Sequence, residues 1–469
     1  MFGGTLALAF VSVGFMLPGL VRTKFASLIF GASGIAFVGQ LSQIQTVLIS
    51  LGAAGVVTAS RVILARKNME SDQLAAAQNW FLLLPTLLAV AFAALVIAFS
   101  PQVAVLVLGS ERFTPLVIAA AAGIPPAVYG QISLAIAQVR SGRPRLVVAA
   151  MLSAAVGSVS VAGLLLLHDE FWASTSFFVA PLAQAIVISS ICFESRFSFG
   201  YFPRLPRANL HEVISLSWSS ALLGIFAATA ELAGRTVVVQ RYGLESLAAY
   251  QPVVLLVTQF VGLFLSALAT SSLIEIAKLR DHVMLASKLN ELVIKLLPVI
   301  GGLLAILSGC AQVFIFIFYS PSLVDIAFPL VTLALAGEIA RAYAWTLGSC
   351  LLPQGLTRPW LMNGLVTVAV QLAVSGLSGY LFGPLGLVTG LVAANAFAAL
   401  FTFYLVVRAG IIVRSRGLLL VLIIMLFLAF APSATSGPIN FVSVGGGVLL
   451  LAYSKFGPRI MVFLRRPGR

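Results

Sequence analysis

Charge is scarce in this chain. Asp, Glu, Lys and Arg together make up 9% of its 469 residues, against about 25% in a soluble globular protein. That leaves almost no material for a surface facing water, so lipid must cover most of the chain. Acids are the scarcer half, with 14 Asp+Glu against 28 Lys+Arg. Cysteine is rarer still. Cys192, Cys310 and Cys350 lie far apart with no CxxC spacing, which excludes a disulfide framework or a thiolate metal site. The histidines His168, His211 and His282 show no metal spacing either. No GxxxxGK[ST] loop is present, so ATP is not used directly. The polar stretches are short, and none could fold as a domain outside the membrane. The sequence therefore predicts no enzyme, no metal and no cofactor.

What the chain does have is grease: 60% of its residues are hydrophobic. Each crossing needs about 20 apolar residues, and the runs predict fourteen helices. They fall at 3–29, 35–60, 79–101, 114–139, 146–167, 176–193, 214–240, 247–277, 292–319, 326–352, 359–381, 387–407, 417–431 and 441–456. The first stretch, from Phe2 to about Val21, lacks a basic n-region and a clear cleavage site. It reads as a spanning helix and not as a removed signal.

The basic excess would point to nucleic acid in a soluble protein. Here its positions exclude that reading. Of the 28 Lys and Arg residues, 21 fall in the alternate loops and the C-terminal tail, against Arg112 and Arg241 on the opposite side. This bias predicts that both termini are cytoplasmic. Arg22, Lys24, Arg235, Lys295 and Arg341 remain, within or just inside helices.

The two halves echo one another. Lys24 and Gln40 are 16 residues apart in KFASLIFGASGIAFVGQ, as are Arg235 and Gln251 in RTVVVQRYGLESLAAYQ. AGIPPAVY (122–129) matches AGEIARAY (336–343) in its AG start and in a Tyr six residues after the Gly. Each is followed by an Arg-Pro step, Arg143-Pro144 and Arg358-Pro359. The fold class is therefore an all-α polytopic membrane protein of about fourteen helices. Two pseudo-symmetric six-helix lobes, residues 1–197 and 198–410, would surround a central cavity. Two further helices and a basic cytoplasmic tail would occupy 411–469.

Three segments carry a family resemblance. KFASLIFGASGIAFVGQLSQIQTVLISLGAAGVV resembles the opening of the O-antigen and polysaccharide flippases, the Wzx-type group of the multidrug/oligosaccharidyl-lipid/polysaccharide exporter superfamily. RTVVVQRYGLESLAAYQPVVLLVTQFVGLFLSAL is similar to the family's junction of the seventh and eighth helices. LALAGEIARAY resembles its tenth helix. GASG stands where the family pattern reads GPxG. Thr258 and Gln259 stand where relatives often carry an acid. The resemblance implies a flippase for an oligosaccharide linked to undecaprenyl pyrophosphate. It would work from the inner to the outer leaflet of the bacterial cytoplasmic membrane, by alternating access. Its partners would be that lipid-linked oligosaccharide, membrane lipids, a polysaccharide polymerase and a chain-length regulator. The coupling ion, proton or sodium, stays open.

Within that reading the intramembrane polar residues acquire roles. Arg22, Lys24, Arg235 and Arg341 would line the interlobe cavity and bind the pyrophosphate, which an arginine fork can grip in pairs. The alternative for Arg22 and Lys24 is a place in an outer loop or snorkelling to the interface. Glu231 with Arg235, and Glu338 with Arg341, each share a helix face. The acid is either a counter-ion or a switch that releases its arginine. Arg61 and Arg140 are either an entrance for the head group or ordinary cytoplasmic loop residues. Gln40 and Gln43 either bind sugar hydroxyls or bridge helices. Two rival functions are weighed. A cation-coupled multidrug exporter of the same superfamily predicts an acid-rich cavity, and this chain has more intramembrane bases than acids. A membrane glycan polymerase or ligase predicts a sizeable outer loop, and the outer loops are short.

Overall fold

The computed structural model describes residues 2–64, 71–140, 143–192, 207–262, 281–351, 356–411, 416–430 and 442–451, with isolated positions between. Among these residues there is no strand. Lipid offers a backbone no hydrogen bonds, and only helices satisfy every N–H and C=O within one segment. Among the described residues eleven helices are long and apolar enough to cross a membrane, and two shorter apolar ones, Gly417–Ala429 and Val442–Leu451, follow. The first of the eleven covers two predicted helices, so the fourteen predicted runs are all accounted for.

By contacts the chain forms two compact units, Met1–Ala248 and Ala249–Arg469. The first is built on α1 (Phe2–Leu64). The break predicted at GASG is present as a kink at Gly31, where the two helices that make up α1 meet. Gly31 takes φ 63° and ψ −141°, a conformation open to glycine, and the helix continues on both sides. Around α1 stand α2 (Ser71–Ala98), α3 (Thr114–Ala122), α4 (Ile124–Arg140), α5 (Arg143–Leu165), α6 (Glu170–Cys192) and α7 (Arg207–Tyr242). Contacts group α7 with this unit because it packs along α1; the repeat had assigned residues from 198 onward to the second lobe.

Glutamines stitch the first unit together. The chain after α2 ends in a π-helical turn, Ala104–Leu108, stopped by Gly109 at φ 78°. Gln240 of α7 donates to the carbonyls of Val105 (3.0 Å) and Leu106 (2.8 Å), and Gln40 of α1 donates to Val107 (3.0 Å). Between α3 and α4, Pro125 and Pro126 supply no N–H, so the helix breaks. Gln45 of α1 fills that break, donating to Ala120 O at 3.0 Å and to Phe177 O of α6 at 3.1 Å.

The second unit opens in α8 (Leu244–Val261), which winds from a 3-10 start through one α turn into a π-helical stretch, Val254–Val261. It continues with α9 (His282–Gly309), α10 (Ala311–Phe318), α11 (Val324–Gly348), α12 (Thr357–Phe382) and α13 (Pro384–Arg408). α11 is the central helix, packed on α13, α9 and α14 (Arg416–Phe430). The last helix, α15 (Val442–Leu451), lies on α9 through glycines. A Cβ on Gly302 would stand 2.7 Å from Gly447 O, and one on Gly447 would stand 2.6 Å from Gly302 O. Such glycine contacts let two backbones touch, the usual way helices associate in lipid.

Candidate functional site

In the first unit, α1, α6 and α7 carry the two buried arginines and their partners. Arg22 is buried on α1. Its Nε donates to Ser176 Oγ at 2.8 Å and its Nη2 to Ser176 O at 2.9 Å, and its guanidinium carbon lies 3.8 Å from the centroid of the Phe177 ring. Two hydrogen bonds and a ring face thus hold one edge of the cation. Lys24 is half-buried and also partnered. On α7, Arg235 pairs with Glu231 and reaches the carbonyl of Gly39 at 3.4 Å. One turn before Glu231, Ala228 O accepts from Gln43 at 3.1 Å. Gln40 and Gln43 are therefore both bonded to main-chain carbonyls of neighbouring elements, the bridging geometry of the two that the sequence left open.

In the second unit the centre is Glu338 on α11. Its carboxylate pairs with Arg341 and accepts from Asn395 Nδ2 of α13 at 3.2 Å. Arg341 in turn reaches Val257 O, in the π-helical stretch of α8, at 3.4 Å. Its Nε has no hydrogen-bond partner among the described residues. A Cβ on Gly262 would come within 4.0 Å of its Nη2, so the glycine leaves room beside the guanidinium. Asn395 was not foreseen. The signal was present, as a lone amide in the apolar run LVAANAFAAL, but its partner lies 57 residues away.

The two ion pairs have opposite polarity. In the first unit the base is buried, with Arg235 1% exposed and Glu231 20% exposed. In the second the acid is buried, with Glu338 0% exposed and Arg341 22% exposed. A charge buried at membrane depth is costly unless paired, and each pair solves this by sinking a different partner. The first unit therefore presents a carboxylate and the second a guanidinium. Arg61 and Arg140 fall in the helical backbone of α1 and α4, but their side chains lie outside the described residues, as does the basic tail beyond residue 451. The three cysteines are free thiols. Among the described residues no group of three His, Cys, Asp or Glu could hold a metal ion.

No protein-family model and no curated protein sequence matches the chain. Solved structures do. The lipid II flippase MurJ in an inward closed conformation superposes with a TM-score of 0.70 at 14% identity, covering 98% of this chain and 100% of that one. An inward-facing multidrug resistance MATE family transporter of the MOP superfamily gives 0.66 at 13% identity, covering 89% and 98%. A MOP superfamily transporter from Pyrococcus furiosus, whose binding pocket is described as reversed in polarity, gives 0.62 at 16%, covering 91% and 96%. The chain thus has the polytopic fold of the MOP transporters over nearly its whole length.

Proposed function

We propose that the chain is a flippase for an oligosaccharide carried on undecaprenyl pyrophosphate. It would move this lipid from the inner to the outer leaflet of the bacterial cytoplasmic membrane, for surface polysaccharide synthesis. The two lobes of the repeat open alternately to each side, with 411–469 appended, and both termini face the cytoplasm. A polysaccharide polymerase and a chain-length regulator act downstream.

The observation that carries this reading is Arg341. Its guanidinium is part-exposed and is fixed by Glu338, which Asn395 holds in turn. A planar fork held in this way suits phosphate oxygens. The anchoring of Glu338 by Asn395 and Arg341 favours the counter-ion role over the switch. In the first unit Arg22 and Arg235 are buried cations that brace α1 against α6 and α7, and Lys24 and Arg61 lie on α1 on either side of the Gly31 kink. Arg140 closes the cytoplasmic end of α4 and would meet the head group on entry.

One observation favours the alternative, a cation-coupled exporter. Glu231 presents a part-exposed carboxylate, which suits a proton, a sodium ion or a cationic drug. Deleting the chain separates the two. A flippase predicts that lipid-linked repeat units accumulate on the inner leaflet while resistance to cationic drugs is unchanged. Loss of drug resistance with normal surface glycan would overturn the flippase reading.

A further inference from the structure

The side of the first unit carries an open groove of about 480 Å³ between α2, α4 and α6. Pro125, Pro126 and Tyr129 form its floor, and Leu182 and Ile186 stand on its rim, both exposed. Its volume falls within the usual range for small-ligand pockets, about 300–1,000 Å³.

The wall contains hydroxyls yet is dry in character. Thr86 Oγ1 donates to Leu82 O at 2.6 Å, Ser189 Oγ to Ala185 O at 2.8 Å, and Ser190 Oγ to Ile186 O at 2.8 Å. The Tyr129 hydroxyl stands 3.3 Å from Ser189 Oγ. The Ser and Thr protons are thus directed into their own helices. A sugar or a head group would find no free Ser or Thr donor here, whereas a hydrocarbon chain needs none.

Length argues against a helix as occupant. Along α6 the lining runs from Leu182 to Ser190, about 12 Å at 1.5 Å per residue. A spanning helix would need a seam close to the ~30 Å of the hydrocarbon core. The other half of the repeat differs at this face. Tyr343, six residues after Gly337 as Tyr129 is after Gly123, is buried. It is covered by α14, where a Cβ on Gly417 would meet Tyr343 Cε2 at 2.9 Å. Further along, Ile424 of α14 sits against Gly301 of α9. The second unit closes this face with its own helix, and among the described residues the first leaves it open.

We propose that this groove seats the prenyl chain of the lipid-linked substrate. The identity of the chain rests on the flippase reading. A prenyl chain is methyl-branched and unsaturated, so it loses fewer free torsions on being fixed than a saturated acyl chain does. The two prolines give the floor a set shape for it. The groove also lies toward the end of α6 at Cys192, the side that the loop charges assign to the cytoplasm, where such a substrate starts.

The test uses the purified full-length protein in nanodiscs of phosphatidylethanolamine and phosphatidylglycerol. Two photoreactive probes are compared: a polyprenyl phosphate with a diazirine in its chain, and a phosphatidylethanolamine with one in an acyl chain. Adducts are mapped by mass spectrometry. The polyprenyl probe is expected to label residues 125–129 and 182–190 about tenfold more than the exposed Leu377 and Leu381 of α12, the ratio given by about 1.4 kcal/mol of preference. Ile186→Trp should fill the groove and erase that excess. Leu182→Phe and competition by unlabelled polyprenyl phosphate repeat the test should the tryptophan variant misfold. Even labelling of α12 and the groove, an equal excess with the acyl probe, or indifference to filling and competition would overturn the proposal. The labelling requires no flipping. An absent groove signal in a protein that flips removes only the groove, and a groove signal in a protein that never flips removes only the flippase.

Discussion

Arg341→Ala is expected to lower transport of a lipid-linked pyrophosphate roughly ten- to hundredfold, the range given by losing hydrogen bonds to a charged group at about 1.5–3 kcal/mol. It should also destabilise the second unit. Glu338 is fully buried and would keep Asn395 but lose its ion partner. Removing one member of a buried pair costs about 3–5 kcal/mol. Two companions separate the effects. Arg341→Lys keeps a cation beside Glu338, so it should restore most of the thermal stability, but it cannot fork onto phosphate and should transport poorly. Glu338→Leu with Arg341→Met removes both charges and should fold while transporting nothing. The readouts are melting temperature in detergent and surface glycan in cells. Stable, fully transporting Arg341→Met/Glu338→Leu protein would show that the pair is scaffold alone.

Gly123→Ala is expected to be among the most damaging single methyl groups in the first unit. The added Cβ would lie 2.1 Å from Phe177 O and 2.7 Å from Gln45 Nε2. Backbone cannot yield as a side-chain tip can, so α4 would be forced off α6 and Gln45 pushed from both carbonyls it serves. Overpacking of this kind costs about 1–3 kcal/mol, and loss of the Gln45 bond to Phe177 O adds about 1–3 kcal/mol, while Ala120 O keeps the Gly123 N–H. Gly163→Ala is the control. Nothing stands within 4 Å of its Cβ, and alanine is the better helix former by about 0.5–1 kcal/mol. Size-exclusion profiles after heating should therefore show Gly123→Ala collapsing well below the parent and Gly163→Ala at or above it. Equal melting of the two would contradict the close packing of α4 on α6.

Much of the fold was legible because lipid imposes one rule, and long apolar runs obey it. The fourteen runs and the charged pairs on shared helix faces followed from composition and spacing, whereas the helix expected over 114–139 is broken at Gly123. Other features did not. The roles of Gln40, Gln43 and Gln45 depended on which carbonyls lay opposite, at separations of 67 residues or more. The inverted polarity of the two ion pairs depended on which partner each helix turned inward, and i,i+3 or i,i+4 spacing alone does not determine that. The contact grouping of α7 reflects its seam with α1, which no repeat pattern encodes.

AGEIARAY therefore reads differently once folded. Glu338 is held by two partners and reads as an anchor, and on the proposed function Arg341 is the member that would meet the ligand. The most direct test reconstitutes the purified protein in liposomes. A fluorescent oligosaccharide on undecaprenyl pyrophosphate is loaded in both leaflets, and the fraction open to a membrane-impermeant quencher is followed with time. The flippase account predicts that inner-leaflet label reaches the quencher with the wild-type protein and with Glu338→Gln, but far more slowly with Arg341→Ala. Exchange no faster than in protein-free liposomes, in vesicles that do transport a cationic dye, would contradict it.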